Sequence, residues 1–479
     1  MTFTISRFRL HVLPMRTRFP FKYGIASLTA VPHVFVNADL IVNGREVTGL
    51  SSEGLAPKWF TKNPDTPMEV DLAEMIAVLQ NAVRIGTLAG ERPRAFFDWW
   101  KDVHDEQARW AAVRQQPPLL ANLGVSLVER AVLDGLCKAA GRPLHDVLRG
   151  GGLKIDLGAL REGLGGMTAG GVLEPRPVER VWARHTIGLG DALRAADIPA
   201  GEKVEDGLPQ TLDESIRAYG LRYFKIKICG NAAVDLPRLR EISAVLVEQC
   251  AEGFHTTLDG NEQFHDLAAF REYFTMLRAE AALRPLFDSL LLIEQPLHRA
   301  HALDDAVAAL REWRDAPGMI IDESDGSLAD LPRALDLGYR GTSHKNCKGI
   351  MKSLANAALL RTRPGSILTG EDLCSIGPVA MLQDMAVAAA LGVTHVERNG
   401  HHYFRGLGVY PERLQRDVLA AHRGFYRAHE AGFPALDIRG GMLELESIHA
   451  APFGCGVVLD MADYEPLNDW IKRGGMAAL

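Results

Sequence analysis

Cysteine is scarce and unpatterned in this 479-residue chain. The six residues Cys137, Cys229, Cys250, Cys347, Cys374 and Cys455 include no pair at the two-residue gap of a zinc knuckle or a redox motif, so they read as reduced thiols of a core. An excess of positive charge is also lacking. With 53 basic against 60 acidic residues the formal charge is −7, the wrong sign for a phosphate backbone, and no nucleic-acid partner is expected. The apolar stretch Val379 to Val393 is broken by Gln383 and Asp384, well short of the roughly 20 residues that cross a bilayer. Arg7, Arg9, Arg16 and Arg18 leave no room for the apolar core of a signal peptide. These features predict a cytoplasmic protein with no membrane partner. A phosphate loop is missing as well: Gly163 to Gly171 is glycine-rich, but Thr168 stands where the dinucleotide fingerprint needs its third glycine.

What remains is ordinary globular material, 47% hydrophobic and 24% charged, long enough for two domains or one large barrel with additions. From His33 to Val42 apolar residues alternate as in a half-buried strand. Asn43-Gly44 suits a hairpin turn, with Glu46 to Ser51 returning. Residues 68 to 149 carry helical patterning. Ser126 and Glu129 offer a capping box, and Val128, Val132, Leu136 and Ala139 sit at helix-face spacing before Gly141 and Pro143. The first 150 residues therefore predict an α+β unit. Residues 150 to 210 are rich in glycine and proline, and a mobile insertion is expected there.

After Thr211 short apolar runs alternate with amphipathic helical segments, the signature of parallel strands joined by crossover helices. The runs are Tyr223 to Ile228, His255 to Asp259, Leu290 to Glu294, Met319 to Asp322, Gly341 to Lys345, Ser366 to Thr369 and Thr394 to Glu397. With an early strand at Val178 to Ile187 they number eight, which predicts an α/β fold of the (β/α)8 TIM-barrel type.

Three consecutive runs end in an acid: Asp259, Glu294 and Asp322. Carboxyl ends of barrel strands form one face, so these carboxylates are expected to converge, and a hard divalent cation such as Mg²⁺ relieves their repulsion. Lys225 and Lys227 share a face of the strand before them, and Lys345 ends the run after them. Second and sixth strands lie across the mouth from one another. A lysine crowded by cations is expected to lose proton affinity and serve as a general base. Taken singly, each lysine reads as a solvated charge and Asp259 as a helix cap; the set in shared register outweighs its members.

Lys225-x-Lys227, Leu258-Asp259-Gly260-Asn261, Ile293-Glu294-Gln295-Pro296, Asp322-Glu323-Ser324 and Lys345-x-x-Lys348-Gly349 together resemble the enolase superfamily, on the branch of mandelate racemases and muconate lactonizing enzymes. Val128 to Asp134, followed by Gly141-Arg142-Pro143-Leu144, is similar to the helix closing that family's capping domain, and Pro452 to Val457 resembles its return segment. The resemblance implies a cap formed by residues 1–150 and completed by 431–479, over a barrel at 151–430. It implies Mg²⁺ on Asp259, Glu294 and Asp322, with Glu323 as the alternative third ligand. It further implies Lys227 as base on one face of a carboxylate substrate, Lys345 as acid or base on the other, and Lys225 as electrostatic helper.

Around these, Asn261 and Glu262 are expected in supporting positions. Glu371 and Glu397 either orient substrate or pair with arginines such as Arg398. His401 is expected near substrate, Arg184 and His185 are further candidate contacts, and Lys348 and Cys347 are expected to pack. The implied reaction is α-proton abstraction to an enediolate by a racemase, epimerase or cycloisomerase. An acid-sugar dehydratase is the alternative, and a non-catalytic binding barrel the remote one. Specificity is expected from a loop at Met15 to Ser27, whose Arg16, Arg18, Phe19, Phe21 and Lys22 suit an acidic or aromatic distal group. A homo-oligomer is compatible with the resemblance.

Overall fold

Asn43 and Gly44 both take positive φ, 50° and 80°, the conformation that a two-residue hairpin turn requires. Ala26–Val42 and Arg45–Gly54 accordingly run antiparallel from Val42↔Arg45 to His33↔Gly54. The computed structural model describes residues 1–475, and its first strand, Thr2–Tyr23, is longer than either of these. That strand pairs with Ala26–Val42 up to Tyr23↔Ala26, with a register shift between Arg16 and Phe21. The segment Met15 to Ser27 is thus the end of a β-hairpin rather than a loop. Its alternation puts Phe21 and Tyr23 inside while Arg16 and Lys22 are exposed.

Three helices, Met68–Ala89, Phe96–Val113 and Pro118–Ala140, pack with one another, and the third lies on this sheet. Ser126 does not cap a helix start. It lies inside Pro118–Ala140, where its hydroxyl donates to Leu123 O at 2.9 Å; the helix begins earlier, at a proline suited to a first turn. Gly141 ends it with φ 60°. Met68–Ala89 is long and apolar enough to cross a membrane, but its apolar face is buried within the cap, including Leu72, Met75, Val78, Leu79 and Ala82. Near the end of the chain Glu465–Pro466 adds to the cap sheet beside His11 and Val12.

Eight parallel strands close into a barrel: Arg180–Ile187, Tyr223–Lys227, His255–Asp259, Leu290–Glu294, Met319–Ile321, Gly341–His344, Ile367–Gly370 and His395–Arg398, the last pairing with the first. Each lies within two residues of its expected position. Met442–Glu444 adds antiparallel to the first strand. Residues 150–210, expected as an insertion, hold the first barrel strand where the early strand was expected. Before it, Leu153, Leu157, Leu160, Leu164, Val172 and Leu173 are buried, and apolar burial of that extent outweighs the conformational freedom of the surrounding glycines.

Among the polar links that bind cap to barrel are two buried ones made by charged side chains. Arg18 pairs with Asp206 at 2.6 Å and donates to His402 O at 2.6 Å and Pro209 O at 3.0 Å. Glu129, from the helix Pro118–Ala140, accepts the backbone N–H groups of Ile350 at 2.8 Å and Met351 at 2.9 Å, which begin the helix Ile350–Arg361. A carboxylate there satisfies two free donors at a positive helix end. Burial nevertheless pushes Glu129 up to about 7, against the lowering effect of those N–H groups and Arg130.

A raised folded-state value means that Glu129 contributes its full stability below its unfolded value near 4.5 and loses it as pH rises through about 7. Urea unfolding of Glu129→Gln is therefore expected to show a smaller loss of stability between pH 5 and pH 8 than the parent chain, the difference being on the order of 2–3 kcal/mol. Parallel pH profiles would refute the assignment.

Candidate active site

Strand register builds the mouth of the barrel. Thr186, Lys225 and Thr257 pair across the first three strands, and Lys227, Asp259 and Glu294 pair in the next inward row, at the carboxyl ends. Glu294 pairs with Ile320, so Asp322 lies two residues farther along and just beyond its three-residue strand. Lys345 likewise follows its strand. The backbone turns sharply after several strand ends: Asn261, Gln295 and Cys374 have φ of 39°, 36° and 55°, left-handed conformations unusual for residues other than glycine.

Lys225 is the centre of the charge arrangement. Its Nζ lies 2.9 Å from Asp259 Oδ2, 2.7 Å from Glu294 Oε2, 2.9 Å from Glu371 Oε2 and 2.9 Å from Glu397 Oε2. Only the contacts to Glu371 and Glu397 are aligned hydrogen bonds. Both Glu294 oxygens are buried and accept none, so its closeness to Lys225 is attraction of charge without donor geometry. Burial lowers the proton affinity of Lys225, but the four carboxylates outweigh it and hold the amine protonated, well above the usual lysine range. Burial, reinforced by Asp259 and Glu371, pushes Glu294 well up. Of the four carboxyls around Lys225, Glu294 is thus the one whose surroundings most disfavour a negative charge.

Lys227 donates to Asp259 Oδ2 at 2.5 Å, and Asn261 N donates to Asp259 Oδ1 at 2.8 Å. Across the mouth Lys345 contacts Asp322 Oδ2 at 2.5 Å and Lys348 contacts Asp322 Oδ1 at 2.9 Å. Burial would raise Asp322, but these two ammonium groups hold it well below the usual carboxylate range. Lys345 in turn is raised despite burial, chiefly by Asp322. The expectation that neighbouring cations depress the amines therefore fails for Lys225 and Lys345, because the adjacent acids dominate.

Glu323 lies beside Asn261, 3.3 Å from its amide, and is pushed up to about 7 by burial and Asp322. Asp322 faces the cavity directly. Gln295 pins that segment, accepting from Asp322 N at 2.7 Å and Ser324 N at 3.1 Å while donating to Ser324 Oγ and Leu297 O, each at 2.7 Å.

Lys225, Lys227, Asp259, Asn261, Asp322, Lys345 and Glu397 line one cavity of about 30 Å³, room for about two waters. Cap residues roof it. Phe21, Tyr23 and Trp59 join Leu373 and Cys374, and the Trp59 ring centre lies 4.3 Å from Lys345 Nζ, a cation–π distance. A larger open cleft of about 750 Å³ runs past Lys203, Gln210, Arg217 and Arg427, away from the acids and lysines of the mouth.

Other expected residues fall elsewhere. His401 bonds to His185 at 2.9 Å and packs on Tyr219, outside the mouth cavity. Arg184 is buried against Glu371, while Arg398 pairs with Asp384 at 2.8 Å. Arg18, expected over the substrate, is consumed by Asp206. Glu262 is clamped by Arg299 at 2.7 Å and Lys62 at 3.3 Å. Asp372, Asn399 and Trp59 line the cavity without having been singled out. Asp372 adjoins Glu371 at a strand end and was readable as a second acid there; Trp59 carries no local signal.

Among the described residues no group of three or more acids, histidines or cysteines is arranged as a ready metal site. The donor set still fits a hard divalent cation: Asp259 and Glu294 are adjacent, Glu294 has two buried oxygens without hydrogen bonds, and Asp322 faces the same cavity. The group standing between Asp259 and Glu294 is the Lys225 ammonium.

No protein-family model matches the chain, and no curated protein does. Solved structures do. A muconate lactonizing enzyme from Pseudomonas fluorescens complexed with muconolactone aligns at TM-score 0.58 and 18% identity over 96% of this chain and 99% of its own. An enolase from Bradyrhizobium complexed with magnesium and mandelic acid aligns at 0.55 and 15% over 97% and 99%. An N-succinyl Arg/Lys racemase from Bacillus cereus aligns at 0.57 and 16% over 94% and 98%. The fold is thus that of the mandelate racemase/muconate lactonizing enzyme and enolase-superfamily structures, cap and barrel together.

Gln295→Met keeps side-chain volume but removes four hydrogen bonds around Asp322. Chemical unfolding is expected to show a loss of about 3 kcal/mol; a loss below about 1 kcal/mol would mean that Gln295 does not secure this segment.

Proposed function

We propose that this protein is an enzyme that abstracts the α-proton of a carboxylate substrate and returns a proton to the resulting enediolate, as a racemase, epimerase or cycloisomerase does. The observation that carries the reading is the placement of Lys227 and Lys345. They leave the second and sixth of eight strands, opposite sides of the mouth, and face one cavity with Asp259, Asp322 and Lys225 between them. Two amines on opposite walls let a proton leave one face of a substrate and arrive at the other.

Charge supports the same reaction. Asp259, Glu294, Asp322, Glu371 and Glu397 are matched in number by Lys225, Lys227, Lys345, Lys348 and Arg184, all in direct contact. A substrate carboxylate adds negative charge to that balanced set, and its enediolate adds more. Mg²⁺ on Asp259, Glu294 and Asp322 would supply the compensating charge and the electrostatic stabilisation of the enediolate. Lys227 takes the α-proton at Nζ, Lys225 faces the substrate carboxylate, and Lys345 serves the opposite face. Trp59 orients the Lys345 amine by its ring.

At about 30 Å³ the cavity is smaller than any substrate of several carbons, so access requires Phe21, Tyr23 and Trp59 to move. Closure over the substrate then excludes water from a low-dielectric site. Lys345 at the end of the sixth strand, facing this cavity, favours an isomerase over the dehydratase reading.

A panel of carboxylates with an α-hydrogen, incubated in deuterated water with Mg²⁺ and followed by proton NMR, is expected to reveal exchange. Lys227→Ala should lower that exchange by about 10²–10⁴-fold. Lys345→Ala should retain exchange from the face served by Lys227 but lose interconversion. Undiminished exchange in Lys227→Ala would remove its assignment as base.

A further inference from the structure

Lys225 has two sets of carboxylate neighbours that are not equivalent. Toward Glu371 and Glu397 its ammonium makes aligned hydrogen bonds of 2.9 Å. Toward Asp259 and Glu294 it is as close, at 2.9 and 2.7 Å, without alignment. Both late-strand acids are themselves fixed. Glu397 accepts from Thr186 Oγ1 at 2.6 Å and Asp372 N at 3.0 Å, and Glu371 is held by buried Arg184. They form a rigid tether, whereas Glu294 contributes two buried oxygens that accept no hydrogen bond.

We propose that Lys225 is a resident cation that competes with a divalent metal ion for Asp259 and Glu294, and that Glu371 and Glu397 hold the lysine when it yields. An ammonium at hydrogen-bond distance from both acids neutralises part of their charge and occupies space between them, so a divalent ion must displace it from that pair. Displacement is feasible because the hydrogen bonds of Lys225 already belong to the other pair. The lysine stays paired throughout and leaves no uncompensated buried charge. Glu371 and Glu397 are thus positioning residues that tune metal affinity through Lys225.

This inference rests on the metal assignment proposed above, and binding of Mn²⁺ without substrate separates the two. Free Mn²⁺ is followed by electron paramagnetic resonance while the full chain is titrated. Lys225→Met is expected to bind Mn²⁺ at least tenfold more tightly than the parent. Lys227→Met, which also removes a positive charge from Asp259 but leaves Lys225 in place, should gain less. Unchanged or weaker binding in Lys225→Met, or an equal gain in Lys227→Met, would overturn the competition while leaving the metal assignment intact. Absence of Mn²⁺ binding in the parent and both variants would overturn the two together. Should Lys225→Met fail to fold, Glu397→Gln provides the second arm: loosening the tether is expected to weaken Mn²⁺ binding at least fivefold, and unchanged affinity would overturn the proposal.

Discussion

One ammonium among four carboxylates organises this barrel mouth. Lys225 reaches acids that end the third, fourth, seventh and eighth strands, so a single side chain joins opposite parts of the ring. Unpaired, those acids repel one another in a low dielectric and either take up protons or force the strand ends apart. Paired, they become a stiff polar core where other barrels have aliphatic layers, and the remaining lysines are placed relative to it. The same interaction divides the carboxylates, since Glu371 and Glu397 accept hydrogen bonds from Lys225 while both Glu294 oxygens accept none.

The cap completes what the barrel begins. Glu129 and Arg18 tie it down at two separate points, one on the helix after the sixth strand and the other on loops following the first and last strands. Between them Phe21, Tyr23 and Trp59 close over the lysines. This arrangement shields the lysines of the mouth from solvent beneath the hairpin end and the segment around Trp59. The cations that appear so prominent along the hairpin are either exposed or spent on holding it in place, leaving an aromatic roof over the site.

Much of this is legible in the sequence. Alternation and turn chemistry around Asn43-Gly44 identify a hairpin because a side-chain period of two and a positive φ are local properties. The barrel strands are visible for a similar reason: they are short runs repeated about every 30 residues, and several of them end in a charge. Lys225, Lys227, Asp259, Glu294, Asp322 and Lys345 follow from that register. The strand Thr2–Tyr23 was harder to recognise, since Arg7, Arg9, Arg16 and Arg18 interrupt its apolar pattern while their side chains lie at the surface or find acids across the fold. The Ser126 capping box misled because a helix start is decided by free N–H groups, and at Ser126 the preceding turn had already supplied the carbonyl partners.

By itself the sequence determined the repeat, the strand ends and the identity of the charged groups they carry, because these depend on neighbours close along the chain. Tertiary structure alone decided how the charges are shared: that Lys225 binds four acids, that Glu371 meets Arg184 rather than Arg398, that His401 turns to His185, and that Trp59 lies over Lys345. Coulomb energy and desolvation depend on distance and burial in space, and residues hundreds of positions apart acquire both only when the barrel closes and the cap settles on it.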